Sequence, residues 1–199
     1  MMAKMKTPTT KRQIRKSFTQ FTNSDWITWL DTHNWMLRSS ANGVSYGGYR
    51  WPPIGKWTTC KDWDSAPVCG NGFHGNSPSG HGYGFDYCRL ELCETRGQQV
   101  VIEINKVKVA SARIIAVNTD IPASAFERCG WRVFYPSDGD TICPKDGEIY
   151  VITDVCVTVS GQSGGYCRFY DSSQGTVSGQ SGGECWFYDS SQRTKNPKK

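Results

Sequence analysis

Residues 157–174 read VTVSGQSGGYCRFYDSSQ, and residues 175–192 read GTVSGQSGGECWFYDSSQ. The two stretches agree at fifteen of eighteen positions. Each splits into two nine-residue halves: a short extended piece, Thr158-Val159-Ser160 or Cys167-Arg168-Phe169-Tyr170, is followed by turn-forming residues. Ser163, Ser172, Ser181 and Ser190 hold the same place in all four halves. A stacked β-solenoid presents an equivalent residue at each rung in this way, and an antiparallel meander has the same spacing, so the direction of pairing stays open. Stacked repeats bury their apolar faces only against neighbours and usually need three or more units. Two units therefore have to dock on the rest of the chain, self-associate, or bind a partner through Phe169, Tyr170, Trp186, Phe187 and Tyr188; the same aromatics also suit simple packing of the stack.

Upstream of the repeats the chain changes character. Asn23, Ser24 and Asp25 offer capping groups before Trp26, Trp29, Leu30, His33 and Leu37, which recur at helical spacing and predict one amphipathic helix stopped by Ser39, Ser40, Asn42 and Gly43. This places the tryptophans and His33 in the core. Alternating apolar residues at 100–109, the runs at 114–117 and 131–135, and the stretch 148–155 predict at least four strands, separated by Pro and Gly signals. The resulting expectation is an α+β domain with a mainly β body over 20–156, two β repeats over 157–192 forming a short solenoid-like extension, and basic disordered tails at 1–19 and 193–199.

Charge sets limits on partners. The net charge of +5 resides in the tails, with Lys4, Lys6, Lys11, Arg12, Arg15 and Lys16 at one end and Arg193, Lys195, Lys198 and Lys199 at the other, which leaves the stretch between them net negative. Nucleic acid could then be met only through the tails, since the body lacks a broad basic face. No run of eighteen apolar residues occurs and the basic start lacks the apolar segment of a signal peptide, so the expectation is a cytoplasmic protein with no membrane partner. The nine cysteines, none in a C-x-x-C pair, are expected to be reduced and mostly buried. Cys60, Cys69, His74, Cys88 and Cys93 are spaced more widely than the knuckles of structural zinc sites, so no metal site is assigned.

Residues 69–88, CGNGFHGNSPSGHGYGFDYC, read as a loop. Gly70, Gly72 and Gly75 satisfy G-x-G-x-x-G literally, but Asn76, Ser77, Pro78 and Gly80 forbid the helix that a dinucleotide fingerprint needs, and no Lys follows as in a P-loop. No nucleophile elbow and no H-E-x-x-H occurs.

Trp51-Pro52, Asp62-Trp63 and Ala66-Pro67-Val68-Cys69-Gly70-Asn71-Gly72-Phe73-His74-Gly75, followed by a strand and a Lys-rich strand, resemble an uncharacterised domain of bacterial and phage proteins. Its hallmark is a Cys-Gly-x-Gly-Leu/Phe-His stretch, and its members often carry short β-repeat tails. The resemblance covers residues 44–120 and implies an architecture and a phage or bacterial origin, with no reaction attached. A second similarity is to ADP-ribosyltransferases. It implies NAD as cofactor, Arg50 or His74 orienting the dinucleotide, Tyr83 or Tyr87 sandwiching nicotinamide, and Glu148 in Gly147-Glu148-Ile149-Tyr150-Val151 stabilising an oxocarbenium-like transition state. The Q/E-x-E pair of those enzymes does not precede Glu148. The leading expectation is a non-enzymatic interaction protein without a cofactor, and the NAD-consuming transferase is the alternative.

Overall fold

In the computed structural model, Thr22 opens helix α1 (Asn23–Thr32) through a reciprocal capping box: its hydroxyl accepts from the Asp25 backbone, and the Asp25 carboxylate accepts from the Thr22 backbone. The helix buries Trp26, Trp29 and Leu30. It ends five residues before Leu37, because Trp35, Met36 and Leu37 are buried in succession on strand β1 (Trp35–Ser40). His33 is consequently an exposed cap, not a core histidine, and its ring stacks on Trp29 at 4.7 Å. The structure describes residues 18–45, 47–78, 85, 87, 89–103, 106–188 and 190–194. Among these, no helix is long and apolar enough to cross a membrane.

The chain divides into two compact units, Met1–Ala125 and Phe126–Lys199. In the first, β1, β2 (Thr58–Thr59), β3 (Phe73–Asn76), β4 (Arg89–Glu103) and β5 (Lys106–Val117) pair antiparallel. The pairings β1–β3, β3–β5, β5–β4 and β4–β1 form a closed ring. Irregularities at Leu92/Cys93, Arg96/Gln99 and Val101/Glu103 interrupt the register of the long β4–β5 pair, and such bulges bend strands. Met36, Trp51, Phe73, Cys93, Val107, Val109, Ala112 and Ile114 make its core. Charges are buried here too. The fully buried Glu91 accepts from Ser40 at 2.7 Å and pairs with Arg89 at 2.9 Å and Arg38 at 3.4 Å. Arg38 in turn lies 4.0 Å from the Trp51 ring centroid. A short helix, α2 (Ala123–Arg128), lies at the division between the units.

The second unit contains β6 (Arg132–Phe134), β7 (Thr141–Ile142), β8 (Glu148–Thr153), β9 (Cys156–Ser160), β10 (Ser163–Tyr170), β11 (Gln174–Ser178), β12 (Gly182–Phe187) and β13 (Gln192–Thr194). Even-numbered and odd-numbered strands form separate four-stranded sheets, ordered β12-β10-β8-β6 and β13-β11-β9-β7, with every pairing parallel. Parallel pairing of alternate strands is the solenoid and excludes the meander. The solenoid-like stretch spans 132–193. The parallel ladders thus start at Arg132, inside the stretch read from sequence as body, and the requirement for more than two units is met by β6, β7 and β8 upstream of the repeats, which share little sequence with them, and by β13 at their end.

Candidate functional site: the open rung of the solenoid

Each rung turns one corner on a glycine. Gly130, Gly147, Gly165 and Gly183 all have positive φ, between 67° and 78°. A Cβ on Gly165 would lie 2.4 Å from the Lys145 carbonyl oxygen, and one on Gly183 would lie 2.3 Å from that of Gly164, so backbone of the rung below fills the space a side chain needs. Serines secure the opposite corner. Ser173 and Ser191, equivalent in the two repeats, each donate at 2.6 Å to the carbonyl three residues earlier, on Tyr170 and Tyr188. Ser172 donates to the Asp154 carboxylate through its hydroxyl at 2.7 Å, which holds that acid below the usual carboxylate range. The buried Gln162 donates its amide to the carbonyls of Gly164 and Gly165, both at 3.2 Å.

Interior side chains stack in columns. Ile152, Phe169 and Phe187 are in register, and the two phenyl rings lie 4.4 Å apart with planes 8° from parallel. Tyr150, Cys167 and Cys185 form a second column, and Ile142, Val159 and Val177 a third from the other sheet. One difference between the repeats follows from this packing. Val157 aligns with Gly175, and a Cβ on Gly175 would stand 2.5 Å from the Phe169 ring. The larger ring of Phe169 occupies the room that a valine would take.

Strands β12 and β13 are the outermost members of their sheets, so among the described residues one edge of each has no strand beside it. Such an edge presents unpaired N–H and C=O groups and templates further strand pairing. Its chemistry differs from that of the rungs beneath. Trp186 is 47% exposed, whereas its column partner Arg168 is 5% exposed. Phe187 and Tyr188 are half-buried. Of the five aromatics expected to bind a partner, Phe169 and Tyr170 are buried within the stack, while Trp186, Phe187 and Tyr188 lie at the open end. Of the three differences between the repeats, the Arg168-to-Trp186 change is the sequence signal that sets an exposed aromatic on the last rung.

The transferase candidates fall in different units. Arg50 is exposed and bridges to Val44, and His74 lies on β3 opposite Lys108, both in the first unit. Burial, reinforced by Lys106, lowers the His74 pKa, and among the described residues its buried Nε2 has no hydrogen-bond partner. Glu148 belongs to the second unit. It is buried at the start of β8, where its carboxylate accepts from the Lys145 backbone at 2.9 Å and the Tyr150 hydroxyl at 3.3 Å and pairs with Arg132 at 2.8 Å. Those bonds tie the first corner of the solenoid to its second rung. Tyr87 is half-buried, with its backbone N–H donating to the Ser39 hydroxyl, and Tyr83 lies outside the described residues. In and just after the Cys-Gly-x-Gly-Phe-His stretch, Gly70 is set by its backbone, at φ 112° with open space around it, whereas Gly72 and Gly75 are set by packing. A Cβ on Gly72 would meet the buried Lys108 side chain at 2.4 Å, and one on Gly75 would meet the Leu37 carbonyl oxygen at 2.7 Å. Gly72 leads into β3, which contains Gly75, and no helix follows directly among the described residues. Among the described residues no three metal-ligating side chains cluster. Of all known proteins compared with this chain, no family model, curated protein or solved structure matches.

Proposed function

We propose that this chain is an interaction protein that associates through the open rung of its solenoid, and that a second copy of the chain is the partner. The observation that carries the reading is the pairing of a free strand edge with Trp186, the most exposed aromatic of the repeats. Parallel rungs already stack like side chains on like, as in Phe169 on Phe187 and Tyr170 on Tyr188, so a rung of the same composition is a chemically matched complement. Pairing of the same edge on two copies is isologous and closes as a two-fold dimer. The transferase alternative draws no comparable support, because the carboxylate of Glu148 is engaged within the solenoid framework.

Sedimentation velocity of the full chain over a concentration series tests the reading. The expected result is a concentration-dependent dimer that Trp186→Lys converts to monomer while circular dichroism stays unchanged. A wild-type chain that remains monomeric throughout, or a variant that dimerises equally well, overturns it.

A further inference from the structure

Cys167 and Cys185 occupy the same place in successive repeats, and folding sets them side by side as Cα partners of the parallel β10–β12 ladder. Neighbouring strands run about 4.7–4.9 Å apart, which falls within the Cα separation of about 4.4–6.8 Å that a disulfide spans. Both side chains belong to one interior column, with Cys167 buried and Cys185 half-buried. The pair is asymmetric. The contact between the two thiols, with burial, pushes the Cys167 pKa up, and the same contact lowers that of Cys185. Arg193 favours the Cys185 thiolate further. When protonated, Cys185 donates to Gln162 Oε1 at 3.0 Å, and the amide nitrogen of that glutamine is anchored by backbone carbonyls, so the position of the sulfur is fixed. A half-buried thiol of lowered pKa beside a buried one of raised pKa is the arrangement of an attacking and a resolving cysteine.

We propose that Cys167 and Cys185 are an oxidation site, forming an inter-rung disulfide that staples the terminal rung to the one below, with a small-molecule disulfide as oxidant. The Cys185 thiolate attacks one sulfur of the oxidant, which forms a mixed disulfide and expels one small thiolate. Cys167 then loses its proton and attacks the Cys185 sulfur, expelling the second small thiolate. Two protein thiols are oxidised to one disulfide, and one small disulfide is reduced to two thiols. The two protons released by the cysteines are those taken up by the small thiols. The staple is independent of dimerisation, since both sulfurs belong to one chain.

The test is to incubate the reduced full chain with glutathione disulfide, alkylate the remaining thiols and digest with trypsin. The expected product links peptide 146–168 to peptide 169–193, with fragmentation placing the bond at Cys167 and not at Cys156, and with the loss of two alkylatable thiols. In Cys167→Ser the expected product is a persistent glutathione adduct on Cys185. An adduct on wild-type Cys185 that never closes overturns the proposal. So does a wild-type chain in which both cysteines stay alkylatable while the exposed Cys69, Cys143 and Cys156 react.

Discussion

The two units solve the problem of the sheet edge in opposite ways. In the first, β1, β3, β5 and β4 close on one another, and closure alone removes a free edge. Its core is drawn from side chains of unlike shape on strands distant in sequence, and it buries Glu91, Arg38 and Lys108. In the second, parallel rungs repeat one design and leave the last exposed. Closure makes each strand irreplaceable, whereas repetition makes rungs alike and distributes stability among nearest neighbours. The difference predicts where each unit is vulnerable.

The largest effect is expected from Phe169→Ala, which removes a fully buried ring from the central column and should cost about 3–5 kcal/mol. Hydrogen exchange should show protection lost along β8, β10 and β12 but retained in β4 and β5. Loss in both places at once would show that the units unfold as one and would break the comparison. Gly175→Val is next, at about 1–3 kcal/mol, because it forces a branched side chain against the Phe169 ring. Combining it with Phe169→Leu should recover stability in chemical denaturation; equal loss in the double variant would detach the glycine from the ring. The smallest effect concerns pH. The folded state lowers the His74 pKa, so it favours the neutral imidazole. That contribution is complete above the unfolded value of about 6.5 and is lost as pH falls through the lower folded value. The first unit should therefore weaken in mild acid relative to the solenoid, and His74→Asn should flatten the response. An unchanged pH profile in that variant would assign the sensitivity to other groups.

Much of this architecture was legible, and what was not has a physical cause. Near-identity marked the last two rungs, and the turn residues between them located their corners. The earlier rungs escaped notice because a solenoid constrains shape more than identity: Ile152 and Phe169 fill one column without resembling each other. The period itself drifts upstream, since paired residues such as Tyr166 and Glu184 are 18 apart but Ile149 and Tyr166 are 17 apart and Arg132 and Glu148 are 16 apart, so no fixed repeat carries the signal to the first rungs. The spacing and Asp25 locate the first helix, but its N-cap is Thr22, one residue before the expected Asn23 and Ser24, and its end comes earlier than Leu37. Helical spacing at Leu37 is coincidental with a strand in which Trp35 to Arg38 are buried in succession, a case in which periodicity cannot separate the two. At the candidate site, composition pointed to the aromatics but could not show that two face inward, which depends on the register of the ladder. The buried Glu91 cluster and the thiol pair join residues that meet only through strand pairing.

The matching corners of the last two rungs also bear on how such a chain changes length. Because Gly165 and Gly183 stand one full coil apart and carry the same turn, duplicating or deleting a whole coil returns the backbone to the same phase, with every column continued. Any other insertion twists the stack out of step. The solenoid is thus graduated like a ruler: its reach can be reset in increments of about 4.8 Å, one rung at a time, without redesigning either end.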